Sequence, residues 1–211
     1  MNFDNCQVGR YNFDGNQVEK IALLWYNQCE NTIVLINGGN MDFIELAKAR
    51  YSVRSFQSKE IESEKLGAIL LAGKVAPTAC NNQPQKIFVV KSEEMRKKLA
   101  SVCICTFDAP IILVVGYDKE RDWKNSLMPG YSSGETDCAI VCTHMMLAAW
   151  EQGIGSCWVG RFNADEVKEA LSLPENIRVT SLLPIGYAAE EAQPSLRHTV
   201  YREMEDILTE L

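Results

Sequence analysis

The stretch DCAIVCTHMMLAAWEQGIGSCWVG, residues 137–160, decides the fold of this chain. Residues 137–152 are apolar on almost every side of a helix, which predicts a central helix that is buried all round. Gly153 ends that helix, and residues 156–159 predict a short strand directly after it. A helix of this kind belongs inside a fold whose other elements cover it.

Helix signals also flank this stretch. Leu66, Ile69 and Leu70 recur at helical spacing, which predicts an amphipathic helix over residues 62–73. A shorter helix precedes it and ends near Arg50. Further helices are predicted after the N-cap residue Ser92, after the capping box that begins at Asn163, and over residues 199–211.

Three β-rich runs, residues 87–90, 111–115 and 179–185, alternate with these helices. The second run is continuously apolar, which predicts a strand buried on both faces. Pro184 lacks an N–H, so it is expected at an edge or at the end of its strand. The order lacks a regular strand-helix-strand rhythm and therefore predicts an α+β fold, a single sheet flanked by helices around the central buried helix.

The composition is that of a soluble globular protein. The 211 residues are 46% hydrophobic and 23% charged, which predicts one compact body with a full core rather than a disordered or fibrous chain. The net charge of −7 argues against a nucleic-acid or anionic-membrane partner, because either would need a basic face. Neither a membrane span nor a secretory signal is evident, so a cytoplasmic location is expected.

Eight cysteines allow two interpretations. Cys103 and Cys105 could join Cys138 and Cys142, with His144, in a metal site, but neither pair has the Cys-x-x-Cys spacing of zinc ribbons. All four cysteines lie in apolar sequence, which favours buried reduced thiols that act as small hydrophobes. We therefore predict no metal, and a core histidine with satisfied hydrogen bonds at position 144.

The chain changes character near residue 40. Residues 1–40 contain eight asparagines and the other 171 residues contain five. The segment lacks clear periodicity and ends in Gly38-Gly39-Asn40 directly before Met41. It is either an N-terminal arm or a translated leader, since consecutive glycine codons can encode a ribosome-binding sequence upstream of a start codon. In both cases we expect the functional domain to be residues 41–211.

The segment Arg50-Tyr51-Ser52-Val53-Arg54 is the strongest local signal. In an extended chain, alternate residues point to one side, so two guanidiniums and the Ser52 hydroxyl can converge. This set suits the capture of a phosphate through charge-assisted hydrogen bonds. Taken alone, the segment is better explained as a solvated basic patch at a helix end.

Two further motifs carry polar or flexible residues. Residues 76–84 place Asn81, Asn82 and Gln83 between two prolines, and carboxamides suit the polar edge of a flat heterocycle; the same composition is common in ordinary turns. Residues 153–160 are rich in glycine, which lets backbone approach a planar ligand. A dinucleotide fingerprint is excluded, because a helix precedes these glycines and a strand follows them.

Together these motifs resemble the FMN-dependent nitroreductases from about residue 41 to residue 197. The motifs are Arg50/Ser52/Arg54, residues 76–84, the helix from Asp137 to Ala149, and residues 153–160. Each motif alone is weak, and their order and spacing carry the resemblance. One departure is Gln85, which stands where the family usually has a large aromatic residue.

The resemblance implies a cofactor site for FMN. Arg50 and Ser52 would hold the phosphate, Arg54 would face the pyrimidine edge of the flavin, and Gly160 would offer its N–H to flavin N5. The remaining residues that the resemblance assigns to cofactor binding are Tyr51, Asn81, Gln83, Trp158, Val159 and Arg197.

The resemblance also implies an activity and an assembly. The enzyme would be a homodimer with FMN at its interface. It would oxidise NADH or NADPH and reduce nitroaromatics, quinones or similar small acceptors in a ping-pong reaction. Hydride transfer occurs at flavin N5, so no catalytic side chain is assigned. A flavin-binding relative without reductase activity, such as a redox sensor, is the first alternative; a cysteine-rich metal or thiol-redox protein is the second.

Overall fold

The structure is a computed structural model that describes residues 42–211 together with two short strands nearer the N-terminus. The chain divides into two compact units, residues 1–40 and 41–211. In the first unit, β1 (Trp25–Tyr26) pairs antiparallel with β2 (Ile33–Val34). The other residues before position 42, with Cys6 and Cys29, lie outside the described residues.

The second unit contains one antiparallel sheet of four strands in the order β3-β4-β6-β5. These strands are β3 (Gln85–Val90), β4 (Ile111–Asp118), β5 (Gly155–Ser156) and β6 (Ile177–Gly186). All eight residues of β4 are buried, because β3 and β6 cover its edges and helices cover both of its faces. The expected strand buried on both faces is therefore confirmed.

Five α-helices surround the sheet: α1 (Phe43–Ala49), α2 (Ser63–Val75), α3 (Glu93–Val102), α4 (Gly134–Glu151) and α5 (Ala164–Ala170). Side chains of alternate β4 residues pack into two different hydrophobic cores, because successive residues of a strand point to opposite faces of the sheet. Leu113 joins the core under α2 and α4, whereas Ile112 and Val114 join the core under α3 and α5. The α+β class and the central helix α4 are confirmed.

Helix α4 is covered by its own chain at its centre. Met145 is fully buried, and α2 approaches it so closely at Gly73 that a Cβ there would lie 2.8 Å from the Met145 side chain. Cys138 and Cys142, on the same helix, are also fully buried, and burial raises the pKa of each thiol to about 12. The prediction that these cysteines act as small core hydrophobes is confirmed.

His144 lies half-buried on α4, with Nδ1 2.9 Å from the Ile140 carbonyl oxygen, so its ring is hydrogen-bonded to its own helix as expected. Among the residues that the structure describes, no group of three His, Cys, Asp or Glu side chains could hold a metal ion. Within the same residues, no helix is both long and apolar enough to cross a membrane.

The expectation for the C-terminal residues needs correction. Residues 199–211 do not form a helix: the only regular element there is a 3₁₀ turn, Met204–Asp206, and every residue is exposed. An isolated helix of that length is marginal in water without a surface to pack on. Pro184 lies near the end of β6, which is one of the two positions expected for it, and its carbonyl accepts the Cys157 N–H at 3.2 Å. The other expected position, an edge strand, does not apply, since β6 lies between β4 and β5.

Candidate functional site

The basic segment, residues 50–54, follows α1 and runs in extended conformation alongside β5. Arg50 ends α1 with φ −65° and ψ 129°, and Ser52 forms an isolated parallel bridge with Ser156. The Val53 N–H donates to the Ser156 carbonyl at 2.9 Å. Val53 is fully buried and Arg54 is exposed. The alternation therefore directs Val53 into the core and leaves the residues on either side of it for a ligand.

The two arginines of this segment have no carboxylate partner among the described residues. Arg54 Nη1 donates to the Ser52 carbonyl oxygen at 3.2 Å. Both arginines affect the nearby thiol of Cys157. Burial raises the pKa of this thiol, whereas Arg54, a hydrogen bond with Ser52, and Arg50 lower it. Two free guanidiniums beside a hydroxyl fit the charge and donor requirements of a phosphate.

Ser156 adds a polar group that the sequence analysis did not single out. Its hydroxyl is buried and has no hydrogen-bond partner among the described residues. Buried hydroxyls normally have a partner, so this oxygen, next to the basic segment, is free for a bound molecule or a water. The GSCW context shows no local signal of this role, which depends on the pairing of β5 with residue 52.

The C-terminal segment folds back to the basic segment through Tyr51. The Tyr51 ring centroid lies 5.2 Å from that of Trp150 and 6.2 Å from that of His198, and its hydroxyl donates to the Ala192 carbonyl at 3.3 Å. Arg197 is next to His198 in the chain and is exposed. The structure therefore brings the C-terminal arginine to the neighbourhood of Tyr51.

The two glycines of residues 155–160 have different surroundings. A Cβ at Gly155 would lie 2.6 Å from a Val53 methyl, so this glycine accommodates a side chain of the protein itself. Gly160 is exposed, and nothing lies within 4 Å of the position its Cβ would take. The open side at Gly160 is where backbone is accessible to a planar ligand. Val159 is buried, and its N–H and carbonyl both pair with Leu182, at 2.8 and 3.1 Å.

A pocket of about 330 Å³ opens beside this turn. The exposed Trp158 lines it, and its Nε1 donates to Ser181 Oγ at 3.0 Å. Three polar residues that the sequence analysis missed, Glu135, Arg178 and Thr180, line the same pocket. They come from the start of α4 and from β6, so only the packing of those elements against residues 158–160 could reveal them.

The carboxamide loop, residues 78–83, is hydrogen-bonded to the start of α4. Asn81, Asn82 and Gln83 are all exposed, and Gln83 Nε2 lies 3.2 Å from Asn81 Oδ1. The loop meets α4 through the Ala79 N–H, which donates to Asp137 Oδ1 at 3.0 Å. It thus lies at the same helix end as Glu135, which lines the pocket. Gln85 follows as the first residue of β3, and its side-chain carbonyl oxygen is buried without a described partner.

Comparison with known proteins identifies relatives of this chain. The nitroreductase family model matches residues 47–108 and 105–187. A protein of Methanothermobacter thermautotrophicus assigned as an NADH dehydrogenase/NAD(P)H nitroreductase is 31% identical over 179 residues, which cover 81% of this chain and 91% of that protein.

Two solved structures from Clostridium difficile share the fold. A nitroreductase family protein of strain 630 superposes with a TM-score of 0.75 at 36% identity, covering 80% of this chain and 98% of that one. An FMN-dependent nitroreductase of strain R20291 superposes with a TM-score of 0.62 at 27% identity, covering 76% and 98%. The chain belongs to the nitroreductase family.

Proposed function

We propose that this protein is an FMN-dependent NAD(P)H oxidoreductase that reduces nitroaromatics, quinones or similar electron-poor acceptors. The observation that carries the proposal is the meeting of the basic segment, residues 50–54, with the strand and turn of residues 155–160. This contact places phosphate-binding chemistry at one end of an accessible backbone segment. The similarity to an NAD(P)H nitroreductase and to an FMN-dependent nitroreductase supports the same activity.

The residues of the site fit FMN in charge and in shape. Arg50, Ser52 and Arg54 provide two guanidiniums and a hydroxyl for the phosphate and the pyrimidine edge, with Tyr51 and Arg197 at the phosphate end. The open side of Gly160 suits an isoalloxazine ring, and Trp158 and Val159 hold that turn on β6. Asn81 and Gln83 supply carboxamides for the polar edge of the ring system.

When bound, FMN supplies the hydride-accepting and hydride-donating chemistry. The chain's contribution is placement and electrostatics. Its guanidiniums neutralise the phosphate and stabilise negative charge on the reduced ring, and the Gly160 N–H is available to a ring nitrogen. No side-chain acid or base is needed for hydride transfer. Because one cofactor would accept the hydride and later donate it, we infer a ping-pong reaction in which NAD(P)H and the acceptor use the same site in turn.

We also infer a homodimer with FMN at its interface. The apolar helix α4 alone does not require a second copy, because much of that helix is covered within one chain. Large apolar side chains are exposed elsewhere: Phe43 and Ile44 on α1 are 62% and 52% exposed. The tail after Pro194 exposes seven more, namely Leu196, Val200, Tyr201, Met204, Ile207, Leu208 and Leu211. Exposed apolar side chains in this number favour burial against a second copy.

A cytoplasmic location is part of the proposal, and the composition and the buried thiols of α4 support it.

An anaerobic reductive titration tests the activity. The purified protein should carry FMN, and its visible flavin absorbance should bleach when NADH or NADPH is added without oxygen. Addition of a nitroaromatic or a quinone should then restore the absorbance. A yellow protein that neither nicotinamide bleaches would instead be a flavin-binding relative without reductase activity. A colourless protein that stays flavin-free in the presence of FMN would contradict the proposal altogether.

A further inference from the structure

Asp137 is a buried carboxylate that connects two parts of the molecule. It lies in the first turn of α4 and is 2% exposed. Its Oδ2 accepts the Ser133 hydroxyl at 2.7 Å, and its Oδ1 accepts the Ala79 N–H at 3.0 Å. The first contact joins Asp137 to Ser133, the residue directly before α4. The second reaches a residue 58 positions earlier in the chain, in the carboxamide loop.

The carboxamide loop, residues 78–83, holds an uncommon backbone conformation. Cys80, Asn81 and Gln83 have φ values of 51°, 54° and 50°, in the left-handed region that residues with a Cβ seldom adopt. Such conformations persist where the surrounding structure enforces them, and they cluster at functional sites. This loop therefore needs an anchor outside itself.

Hydrogen bonds within the loop set its curvature but not its place on the body. The Gln83 N–H donates to Thr78 Oγ1 at 3.0 Å, and the Asn81 N–H donates to the Thr78 carbonyl at 3.0 Å. Within residues 42–211, the bond from Ala79 to Asp137 is the one hydrogen bond that joins residues 78–83 to another element. A role limited to stabilising the N-terminal end of α4 would account for the contact of Asp137 with Ser133 but not for its contact with Ala79.

We propose that Asp137 is a positioning residue that holds the carboxamide loop in its left-handed conformation, so that Asn81 and Gln83 are presented to the FMN site. This inference rests on the proposed function for the identity of the ligand. The anchoring itself is a property of the protein without cofactor. A carboxylate suits the task because its two oxygens accept from both partners at once, while the positive end of the α4 dipole favours its charge.

The first test is hydrogen exchange on the full-length, FMN-free protein. Asp137→Ala should accelerate amide exchange over residues 79–83. Ser133→Ala is the matched control, because it removes the other contact of the same carboxylate, and it should leave loop exchange at the wild-type rate. Asp137→Asn keeps an oxygen that can accept from Ala79 and should restore most of the protection. Unchanged loop exchange in Asp137→Ala would overturn the anchoring.

The second test is a set of double-mutant cycles on the FMN dissociation constant, measured by flavin fluorescence. Asp137→Ala should weaken binding about ten- to a hundredfold, the range for a lost hydrogen bond to a charged group. The effect should be non-additive with Asn81→Ala, because both changes remove the same loop contacts, and additive with Arg50→Ala at the phosphate. Additivity with Asn81→Ala would overturn the positioning role.

Misfolding of the variant and a failure of the proposed function can both be distinguished from a failure of this inference. If Asp137→Ala does not fold, Asp137→Ser, whose hydroxyl is too short to reach both partners, replaces it in both tests with the same expectations. If wild-type protein binds no FMN, the proposed function fails, and the exchange experiment still judges the anchor by itself.

Discussion

Gly155 lies directly against Val53: a Cβ built on this glycine would come within 2.6 Å of one Val53 methyl and 3.0 Å of its Cβ. The contact joins β5 to the segment that carries Ser52 and Arg54, and the hydrogen bond from the Val53 N–H to the Ser156 carbonyl runs beside it. The placement of the phosphate-binding residues therefore depends on the absence of a side chain at position 155.

Gly155→Ala should displace residues 52–54 and destabilise the fold. Because Val53 is fully buried, the extra methyl cannot be accommodated by a shift into solvent, and we expect a loss of about 1–3 kcal/mol in the free energy of unfolding, with weaker FMN binding. Denaturant unfolding and a flavin titration check both effects. Gly67→Ala on α2, where nothing lies within 4 Å of the new methyl, should be neutral or stabilising. Wild-type FMN affinity in Gly155→Ala would contradict this account.

Replacement of Arg50 and Arg54 by alanine should yield a folded protein that purifies without flavin. Each lost charged contact to FMN, at the phosphate for Arg50 and at the pyrimidine edge for Arg54, is expected to cost about 1.5–3 kcal/mol of binding free energy. The measurement is the flavin content after purification and the dissociation constant on adding FMN. Lys97→Ala/Lys98→Ala removes the same charge from the exposed side of α3 and should keep the cofactor. Retention of full yellow colour by the arginine double variant would show that FMN binds elsewhere.

A variant that begins at Met41 should bind FMN and oxidise NAD(P)H at the full-length rate. The asparagine excess of residues 1–40 and the Gly38-Gly39 run before Met41 motivate this expectation. Flavin content, molecular mass in solution and steady-state rate are the readouts. Loss of flavin or of solubility in the shortened chain would show that the first 40 residues belong to the functional domain.

Light scattering should give twice the chain mass at micromolar concentration, with FMN bound. Phe43→Asp/Ile44→Asp on α1 should weaken the dimer, because charges would enter the apolar surface assigned to the interface. Ile104→Asp is the control, since Ile104 is also exposed (78%) but lies outside α1 and the C-terminal tail. A wild-type monomer with full activity would refute the dimer.

Stability should fall at alkaline pH because of the two thiols on α4. Burial raises the pKa of Cys138 and Cys142 from 9.0 to about 12, so below pH 9 both thiols are neutral whether the chain is folded or unfolded. Between those values only the unfolded chain releases these protons. The free energy of unfolding therefore falls as pH rises, by up to about 1.4 kcal/mol per pH unit for each thiol.

Denaturant unfolding across this pH range checks the slope. Cys138→Ala/Cys142→Ala should have lower stability at neutral pH and a shallower alkaline decline than the wild type. An identical decline in both proteins would mean that other groups cause it.

Much of the fold could be predicted because its signals are local. Helix α4 is apolar on nearly every side, and residues 111–115 of β4 are continuously apolar, so their burial follows from the residues themselves. The exposed 199–211 segment shows the limit of such signals. Its helical pattern needs a surface to pack on, and a pattern cannot say whether the same chain provides one.

The sequence by itself determined the α+β class, the central helix and the four motifs that resemble the nitroreductases, since these depend on spacings of two to four residues and on residue type. Only the tertiary structure decided that Ser52 meets Ser156, that Gly155 accommodates Val53, and that Asp137 holds Ala79. It also brought Glu135 and Arg178 to the pocket beside Gly160. These partners lie 18 to more than 100 positions apart in the chain. Their contacts follow from how the whole sheet and its helices pack, which no local periodicity records.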